Sequence, residues 1–360
     1  MAQLVLDGIT KYYGDTPVVN RVSLAIEPGQ FVALLGPSGC GKTTVLRSIA
    51  GFEQLDEGRI ILDGATLSSG AWHIAPEKRH MSMVFQSYAL WPHMNVMDNV
   101  GYSLKLKGIN GTDYKRQVNE ALEAVSMQHL LHRMPSELSG GQRQRVALAR
   151  CLVSAPNVVL LDEPLANLDR HLRASMEQIF REFHQRSATT FIYVTHDQAE
   201  AMALADQVAV MNHGQIVQYD SPENLYRYPD TEWAARFIGQ GSILYTDTIP
   251  KGNGRTLLGD DLVHMLNSEP SAAMAGPTSY TYAILVRPQH IHPVNIEETR
   301  ASARQSLRAT VTERVFKGER YHYQAKVLGN QCLDFYSEQK MMVGQTLYLQ
   351  LEKGYLLGSE

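Results

Sequence analysis

The sequence predicts an α/β domain over residues 1–239, followed by a small all-β domain over residues 240–360. In the first part, short apolar runs typical of buried parallel strands alternate with stretches of helical spacing. After Gly239-Gln-Gly241 the chain changes to short β-type segments without long helices, as in a small barrel or sandwich. A chain of 360 residues is long enough for both domains to bury a core.

The individual elements follow from these patterns. Apolar runs predict buried strands at Phe31–Leu35, Val158–Leu161 and Phe191–Val194. Helical spacing of apolar residues predicts helices at Thr43–Ala50, Asp113–Gln128 and His171–Gln185. The predicted strands of the second domain are Ala283–Val286, Ser306–Val315, Tyr321–Val327, Leu333–Tyr336 and Thr346–Leu351. Loops are predicted at Lys251–Gly254 and Ser268–Ser279.

Composition argues against several functional classes. The 33 Lys and Arg against 37 Asp and Glu give a net charge of −4, which argues against a general nucleic-acid-binding protein. Cys40, Cys151 and Cys332 lie far apart, so they predict neither a zinc site nor a disulfide framework, and we expect a reduced, intracellular protein. The apolar runs are far shorter than the ~20 residues that span a bilayer, and the N-terminus lacks a signal-peptide pattern. We therefore expect that the chain does not itself cross a membrane.

The segment Gly36-Pro-Ser-Gly-Cys-Gly-Lys42-Thr43 fits the phosphate-loop pattern between a predicted strand and a predicted helix. Backbone N–H groups of such a loop surround the phosphates, Lys42 reaches the β- and γ-phosphates, and the Thr43 hydroxyl binds Mg²⁺. The predicted nucleotide contacts are Gly36, Pro37, Ser38, Gly39, Cys40, Gly41, Lys42, Thr43 and Thr44. The motif alone leaves a kinase, a GTPase and a transporter ATPase open.

Two carboxylates end the predicted strand Val158-Val-Leu-Leu-Asp162-Glu163, at the edge of a parallel sheet where ligands bind. Asp162 is the candidate Mg²⁺ ligand, directly or through water. Glu163 is the candidate general base for an attacking water, which favours hydrolysis over transfer to a second substrate. Taken alone, Glu163 has the alternative of being a solvated carboxylate after a strand.

The string Leu138-Ser139-Gly140-Gly141-Gln142 precedes another helical stretch. On its own it is typical of a helix N-cap with a flexible approach. A serine hydroxyl and glycine N–H groups at a helix N-terminus also form an anion site. Two phosphate-binding elements for one nucleotide are explained if they come from different subunits.

With these motifs, the sequence resembles the ATP-binding-cassette (ABC) ATPases. In that family the LSGGQ signature contacts the γ-phosphate held by the other subunit, so the resemblance assigns to the nucleotide, in trans, Ser139, Gly140, Gly141 and Gln142. Tyr13 matches the aromatic that stacks on adenine, and His196 matches the switch histidine. Gln86 matches the Q-loop glutamine, which senses Mg²⁺ and water and links to the permease. Singly, each has an ordinary alternative as a strand-face aromatic or a strand-end polar residue.

The resemblance therefore implies a catalytic set of Glu163, His196 and Gln86, and a metal set of Thr43, Gln86 and Asp162. Ala166-Asn-Leu-Asp169 matches the D-loop, where many family members have Ser in place of Ala166, so we expect no hydroxyl contact there.

The predicted second domain also carries a resemblance. Val286-Arg-Pro-Gln-His-Ile291 is similar to the V-R-P-E-x-I string of bacterial importer ATPases of the maltose, polyamine and ferric-ion type. Arg314-Val-Phe-Lys-Gly318 and the strands after it resemble the OB-like, TOBE-type regulatory region of those proteins. The fold expected for the whole chain is a P-loop NTPase cassette, with a helical subdomain at about residues 88–155, followed by this β domain.

The resemblance implies ATP and Mg²⁺ as cofactors and a homodimer that sandwiches two ATP molecules. It also implies integral membrane permease subunits as partners, an indirect link to a periplasmic or extracellular solute-binding protein, and a peripheral position at the cytoplasmic face of the bacterial inner membrane. The segment Tyr88–Tyr102 is the candidate permease-docking surface, with Trp91, Met94 and Met97 either exposed for an interface or packed in the core.

The cargo is not encoded in this chain, because the permease and the binding protein select it; ferric ion, phosphonate, polyamine and sugar stay open. The alternative class is a soluble ABC ATPase of translation or DNA repair, and such proteins resemble two fused cassettes or carry coiled-coil insertions. A P-loop kinase is a third alternative, but it has no use for the signature string.

Overall fold

The computed structural model describes residues 3–166, 168–187, 189–248, 255–267, 282–294, 306–327 and 330–358. The chain divides into two compact units, Met1–Pro222 and Glu223–Glu360. The predicted loops at 251–254 and 268–279 lie outside the described residues. Within the described residues, no helix combines the length and the apolar character that crossing a bilayer requires.

The first unit is an α/β structure. Its strands are β1 (Leu4–Tyr13), β2 (Thr16–Ile26), β3 (Phe31–Leu35), β4 (Glu57–Leu62), β5 (Ala65–Ser69), β6 (Met81–Val84), β7 (Val158–Asp162), β8 (Thr190–Thr195), β9 (Gln207–Asn212) and β10 (Gln215–Asp220). Its helices are α1 (Lys42–Ala50), α2 (Val96–Leu106), α3 (Gly111–Glu123), α4 (Gly140–Leu152), α5 (Arg170–Arg186) and α6 (Gln198–Leu204).

A six-stranded sheet in the order β10-β9-β3-β8-β7-β6 forms the centre of this unit. Strands β9, β3, β8, β7 and β6 are parallel, and every residue of β3, β7 and β8 is buried. Alternate residues face opposite sides: Phe31 and Phe191 pack against helices α2 to α5, whereas Val32 and Leu34 pack against α1 and the antiparallel sheet β2-β1-β4-β5. The three strands predicted from apolar runs are therefore confirmed.

Two predicted helices, α1 and α5, have the expected extents within a residue at each end. Helix α3 is shorter than predicted, because it ends at Glu123 instead of continuing to Gln128. The backbone of Ser126 is left-handed (φ 57°), and the N–H groups of Ser126 and Met127 donate to the carbonyls of Glu123 and Leu122. This closing turn ends the helix although apolar residues continue at helical spacing.

The second unit consists mainly of antiparallel strands. Its strands are β11 (Ser242–Thr246), β12 (Thr256–Leu258), β13 (Tyr282–Val286), β14 (Ile291–Val294), β15 (Ser306–Phe316), β16 (Tyr321–Lys326), β17 (Cys332–Ser337), β18 (Thr346–Leu351) and β19 (Lys353–Leu356). They form two sheets, β11-β13-β19-β12 and β14-β18-β15-β16-β17. Helices α7 (Pro222–Arg227), α8 (Glu232–Phe237) and α9 (Gly259–Asn267) accompany them. The five predicted strands of this region are present.

Along the chain, the division between the two compact units follows Pro222, whereas the sequence predicts a domain boundary near residue 240. The buried Arg287 accounts for this position, because its guanidinium donates to the carbonyls of Tyr226, Ile238 and Gln240 and stacks on the Tyr226 ring at 4.2 Å. These bonds hold the segment that contains α7 and α8 within the second unit. Burial lowers the pKa of Arg287 to about 10.

Candidate functional site

The C-terminal ends of the parallel strands gather the predicted site residues at one edge of the six-stranded sheet. Leu35 of β3 pairs with Thr195 of β8, and Val194 of β8 pairs with Asp162 of β7. Because neighbouring parallel strands end at the same edge, the segments after β3, β7 and β8 meet there. Residues that lie far apart in sequence can therefore act on one ligand.

The phosphate loop connects β3 to α1, as the motif predicts. Gly41 is the N-cap of α1 and is left-handed (φ 101°), and a Cβ at this position would come within 2.5 Å of the Val18 carbonyl oxygen. The Lys42 ammonium lies inside the loop, where Nζ donates to the carbonyl oxygens of Gly36 (2.8 Å) and Pro37 (2.9 Å). The loop thus presents a helix N-terminus and a buried cation on the same side, which suits a phosphate.

Cys40 lies in this loop and is buried, and Lys42 Nζ is 3.8 Å from its Sγ. Burial raises the pKa of the Cys40 thiol. The thiol is therefore not poised to act as a nucleophile.

Thr43 and Asp162 form a pair of oxygen donors at the start of α1. The Thr43 hydroxyl donates to Asp162 Oδ1 at 3.0 Å, across 119 residues of sequence. Burial raises the pKa of the Asp162 carboxyl, although the hydrogen bond from Thr43 opposes this shift. The two groups are hard oxygen ligands of the kind that Mg²⁺ prefers.

The donor set fits a nucleotide-bound magnesium ion. Among the residues that the structure describes, no cluster of three or more His, Cys, Asp or Glu side chains is arranged to hold a metal ion. Mg²⁺ usually keeps several waters and binds through one or two protein groups plus substrate phosphates. Thr43 and Asp162 beside the phosphate loop match that pattern.

Glu163 and His196 lie side by side at the sheet edge. His196 Nδ1 is 3.1 Å from Glu163 Oε2, and the Glu163 amide donates to the carbonyl of Val194 at 3.0 Å. Glu163 adopts a left-handed backbone (φ 44°), which is uncommon for a residue with a side chain and is often found at functional sites. The pair therefore holds a carboxylate and an imidazole next to the candidate metal ligand Asp162.

Gln86 follows β6 at the same edge, since Val84 pairs with Leu161 one residue before Asp162. Its side chain is exposed, and within the described part of the chain no hydrogen bond joins it to Thr43 or Asp162. The structure thus places Gln86 at the same sheet edge as Asp162, with no hydrogen bond between Gln86 and the other two candidate metal ligands among the described residues.

Tyr13 ends β1, with 49% of its surface exposed. Burial and the neighbouring Glu53 raise the pKa of its hydroxyl, whereas a hydrogen bond with Thr44 lowers it. The ring therefore lies beside the first turn of α1, and its exposed surface is available for stacking on a base.

The signature residues form a separate group at the N-terminus of α4. Ser139 is the N-cap: its Oγ accepts from the Gln142 amide, and the Gln142 side chain accepts from the Ser139 amide, which makes a capping box. A Cβ on Gly141 would come within 2.1 Å of Leu172 in α5, whereas a Cβ on Gly140 would meet nothing within 4 Å. Within the described residues, no hydrogen bond joins this group to the phosphate loop, Asp162 or Glu163.

The three side chains proposed for the candidate docking surface are less exposed than those of an open interface would be. Trp91, Met94 and Met97 are all half-buried. Met97 packs against the core beneath α2 and α4, and Trp91 contacts the Tyr102 ring at 4.5 Å between ring centroids. For Met97 and Trp91, packing within the unit is therefore the better explanation.

Arg150 is a residue in this region that the motifs did not single out. Its guanidinium donates to the carbonyls of Tyr88 (2.9 Å) and Ala89 (2.7 Å) and stacks on Trp91. Tyr88 and Ala89 both have left-handed backbones. Arg150 thereby ties the end of α4 to the segment after Gln86, and no local sequence signal indicates this contact.

The two parts of the chain match two different protein families. Residues 19–166 match the family described as ABC transporter, and residues 284–354 match the family described as TOBE domain.

Several relatives are named as import ATP-binding proteins. A sn-glycerol-3-phosphate import ATP-binding protein of Rhizobium johnstonii is 47% identical over 239 residues, 66% of this chain and 64% of that protein. A spermidine/putrescine import ATP-binding protein of Chromobacterium violaceum is 48% identical over 260 residues, 72% of this chain and 69% of that protein. An Fe(3+) ions import ATP-binding protein of Escherichia coli O157:H7 is 48% identical over 238 residues, 66% of this chain and 67% of that protein. These alignments span 64%, 69% and 67% of the curated relatives' own lengths.

Among solved structures, the dimeric post-hydrolysis state of the ATP-binding cassette MJ0796, bound to ADP and Pi, is similar. It is 27% identical, with a TM-score of 0.55, and the alignment covers 61% of this chain and 98% of that one. The similarity supports the α/β cassette predicted for the first part of the chain.

Proposed function

Because the chain belongs to the ABC transporter family of ATPases, we propose that it is the ATP-hydrolysing subunit of a binding-protein-dependent importer. The observation that carries this proposal is the joint position of Thr43, Asp162, Glu163 and His196 at one edge of the parallel sheet. The names of the relatives support the direction of transport, since each is an import ATP-binding protein.

In the proposed reaction the phosphate loop and Lys42 hold the β- and γ-phosphates of ATP, and Tyr13 stacks on the adenine. Thr43 and Asp162, joined by Gln86, hold Mg²⁺, which neutralises phosphate charge and orients the γ-phosphate when bound. Glu163 accepts a proton from water as the water oxygen bonds to the γ-phosphorus, and the bond to the β,γ-bridging oxygen breaks. ADP and phosphate are the products.

His196 orients Glu163 in this scheme. With Nδ1 on Glu163 Oε2, the imidazole fixes that oxygen, and Oε1 would remain to accept the proton of the attacking water. A carboxylate only accepts, so Nδ1 is the donor in this contact, and the other ring nitrogen, Nε2, donates to the γ-phosphate when the ring carries both protons. Holding the carboxylate of Glu163 in a fixed orientation lowers the activation free energy of hydrolysis, because less orientational entropy is lost in the transition state.

The signature group acts on the nucleotide of a second copy. A Cβ on Gly140 would meet no atom within 4 Å, and within the described residues no hydrogen bond joins the N-terminus of α4, a candidate anion site, to the phosphate loop of the same chain. Two copies would sandwich two ATP molecules, and the dimeric relative bound to ADP and Pi supports this arrangement. ATP favours the closed dimer because it contacts both copies only in that state.

The proposal also covers the membrane partners, the location and the cargo. The chain would dock peripherally on integral membrane subunits at the cytoplasmic face of the inner membrane, and a solute-binding protein would act indirectly through them. The cargo is a small solute or ion, with ferric ion, phosphonate, polyamine and sugar as the candidates. The relatives' names cover a glycerol phosphate, polyamines and ferric ion.

The test is to isolate the tagged full chain from detergent-solubilised membranes and to measure ATP hydrolysis of the recovered complex. We expect integral membrane subunits to co-purify and the solute-binding protein to stimulate hydrolysis. Recovery of the chain entirely from the soluble fraction, with hydrolysis but without membrane subunits, would favour the alternative of a soluble ABC ATPase.

A further inference from the structure

A buried polar network is centred on the carboxylate of Glu200, and it includes Thr195 and Asp197, the two residues on either side of His196. Glu200 is only 3% exposed, and its Oε2 accepts hydrogen bonds from the hydroxyls of Tyr193 (2.7 Å) and Thr195 (2.8 Å). Burial and Glu200 raise the pKa of Tyr193 well above its usual value, so that hydroxyl stays protonated as a donor. A buried carboxylate of this kind requires a cation nearby.

Arg173, in the first turn of α5, supplies that cation. Its Nη1 donates to Asp197 Oδ2 at 2.9 Å, and its Nε lies 3.7 Å from Glu200 Oε1. Its Nη2 reaches the carbonyl of Leu168 at 3.5 Å, in the D-loop segment before the helix. Burial also raises the pKa of Glu177, one turn further along α5, as do the charges of Glu200 and Asp197, while Arg173 opposes that shift. The positive charge of Arg173 thus offsets the negative charges of the carboxylates of Asp197, Glu200 and Glu177.

The residues on both sides of His196 are held by this network. Thr195 donates to Glu200, and its Oγ1 accepts from the amide of Asp197 at 2.9 Å. Asp197 is the N-cap of α6, where Oδ1 accepts from the amides of Ala199 and Glu200, and its other oxygen binds Arg173. The backbone at His196 is therefore fixed by groups that converge on Arg173.

We propose that Arg173 is a positioning residue, which sets the orientation of His196 toward Glu163 and links it to the D-loop carbonyl of Leu168. The inference rests on the proposed function, because it assigns a role to His196 in hydrolysis. A shift of the D-loop at the dimer interface would be transmitted through Arg173 to Asp197 and so to the imidazole. Hydrolysis would thereby depend on the position of the D-loop as well as on bound nucleotide.

The experiment compares Arg173→Met and Arg173→Lys in the purified full chain, with Arg186→Met as the matched control. Arg186 is exposed at the far end of the same helix. We expect Arg173→Met to lower kcat by about tenfold or more, a typical cost of a misplaced catalytic group, while the Kd for a fluorescent ATP analogue changes less than about twofold. The Lys variant should recover part of kcat, because it keeps the charge but lacks the fork of N–H donors that lets Arg173 reach several acceptors. Arg186→Met should match the unmodified chain.

A double-mutant cycle with His196→Ala separates positioning from a structural role. If Arg173 acts through His196, Arg173→Met costs little further activity in the His196→Ala background. Equal losses in both backgrounds, or parallel losses of nucleotide binding and thermal stability, would overturn the inference. If Arg173→Met does not fold, the same cycle is run with Arg173→Lys. Failure of the proposed function would instead appear as normal hydrolysis in His196→Ala itself.

Discussion

His196 Nδ1 lies 3.1 Å from Glu163 Oε2, although 33 residues separate them in sequence. The contact exists because β7 and β8 are adjacent parallel strands that end at the same sheet edge. The backbone of Glu163 is left-handed, and its amide is bonded to Val194 of β8. The chain thus holds a carboxylate and an imidazole side by side at this edge of the parallel sheet.

Replacing Glu163 with Gln should preserve nucleotide binding and remove most hydrolysis. The amide keeps the size of the side chain but cannot accept the proton of water, so we expect phosphate release to fall about 10²- to 10⁴-fold. Fluorescent-nucleotide titration and a phosphate-release assay measure the two quantities. Glu182→Gln on the exposed face of α5 is the control, and normal turnover in Glu163→Gln would refute the base assignment.

Replacing Ser139 with Arg should prevent ATP-dependent dimerisation without affecting the ATP affinity of the monomer. Size-exclusion chromatography with light scattering, in the Glu163→Gln background, measures the dimer. Losing the N-cap costs about 1 kcal/mol of helix stability, so Ser139→Asn, which keeps a capping acceptor, is the matched control. A weaker ATP affinity of monomeric Ser139→Arg would argue against a trans site.

The two signature glycines should respond differently to Ala. Gly141→Ala places a Cβ 2.1 Å from Leu172, whereas Gly140→Ala meets no atom within 4 Å. Both substitutions favour helix formation, so their difference in unfolding free energy reports the steric conflict. We expect Gly141→Ala to be less stable than Gly140→Ala by about 1–3 kcal/mol in urea unfolding. Equal stability would mean that Leu172 moves aside at no cost.

Asp162→Asn should stabilise the nucleotide-free chain in a pH-dependent manner. The pKa of Asp162 is raised in the folded state, so the folded chain binds more protons than the unfolded chain, and stability falls as pH rises through this range. Asn carries no charge at any pH. The gain in thermal midpoint should therefore be small in acid, grow as pH rises through the Asp162 pKa, and then stay constant. The same variant should require more Mg²⁺ for hydrolysis; a gain that shrinks with rising pH would contradict the assignment.

Arg79→Met should destabilise the first unit strongly. The buried guanidinium donates to the carbonyls of Ser48 and Ile49 at the end of α1 and to that of Ile74. Each buried carbonyl left without a donor costs about 1–3 kcal/mol, so we expect a loss of several kcal/mol in urea unfolding. Arg59→Met, which removes an exposed ion pair, is the control and should cost about 1 kcal/mol or less.

Much of the site could be predicted because its motifs are local. A strand, a glycine-containing loop and a helix follow one another in Phe31–Ala50, and Asp162 ends its strand, so each element carries its own chemistry. The contacts could not be predicted from spacing, since Thr43 and Asp162 meet only because β3, β8 and β7 are neighbours in the sheet. The half-burial of Trp91 likewise depends on Arg150 and Tyr102 packing against it.

The sequence by itself determined the α/β class, the phosphate loop and the identity of the groups that could hold a nucleotide, because these depend on short runs of residues. Only the tertiary structure decided which carboxylate lies beside which imidazole, where α3 ends, and that Arg173 joins the D-loop to Asp197. Such contacts depend on strand order and burial, which are properties of the folded chain as a whole. A half-buried arginine that contacts a carbonyl and carboxylates from distant segments leaves no periodic pattern in the sequence.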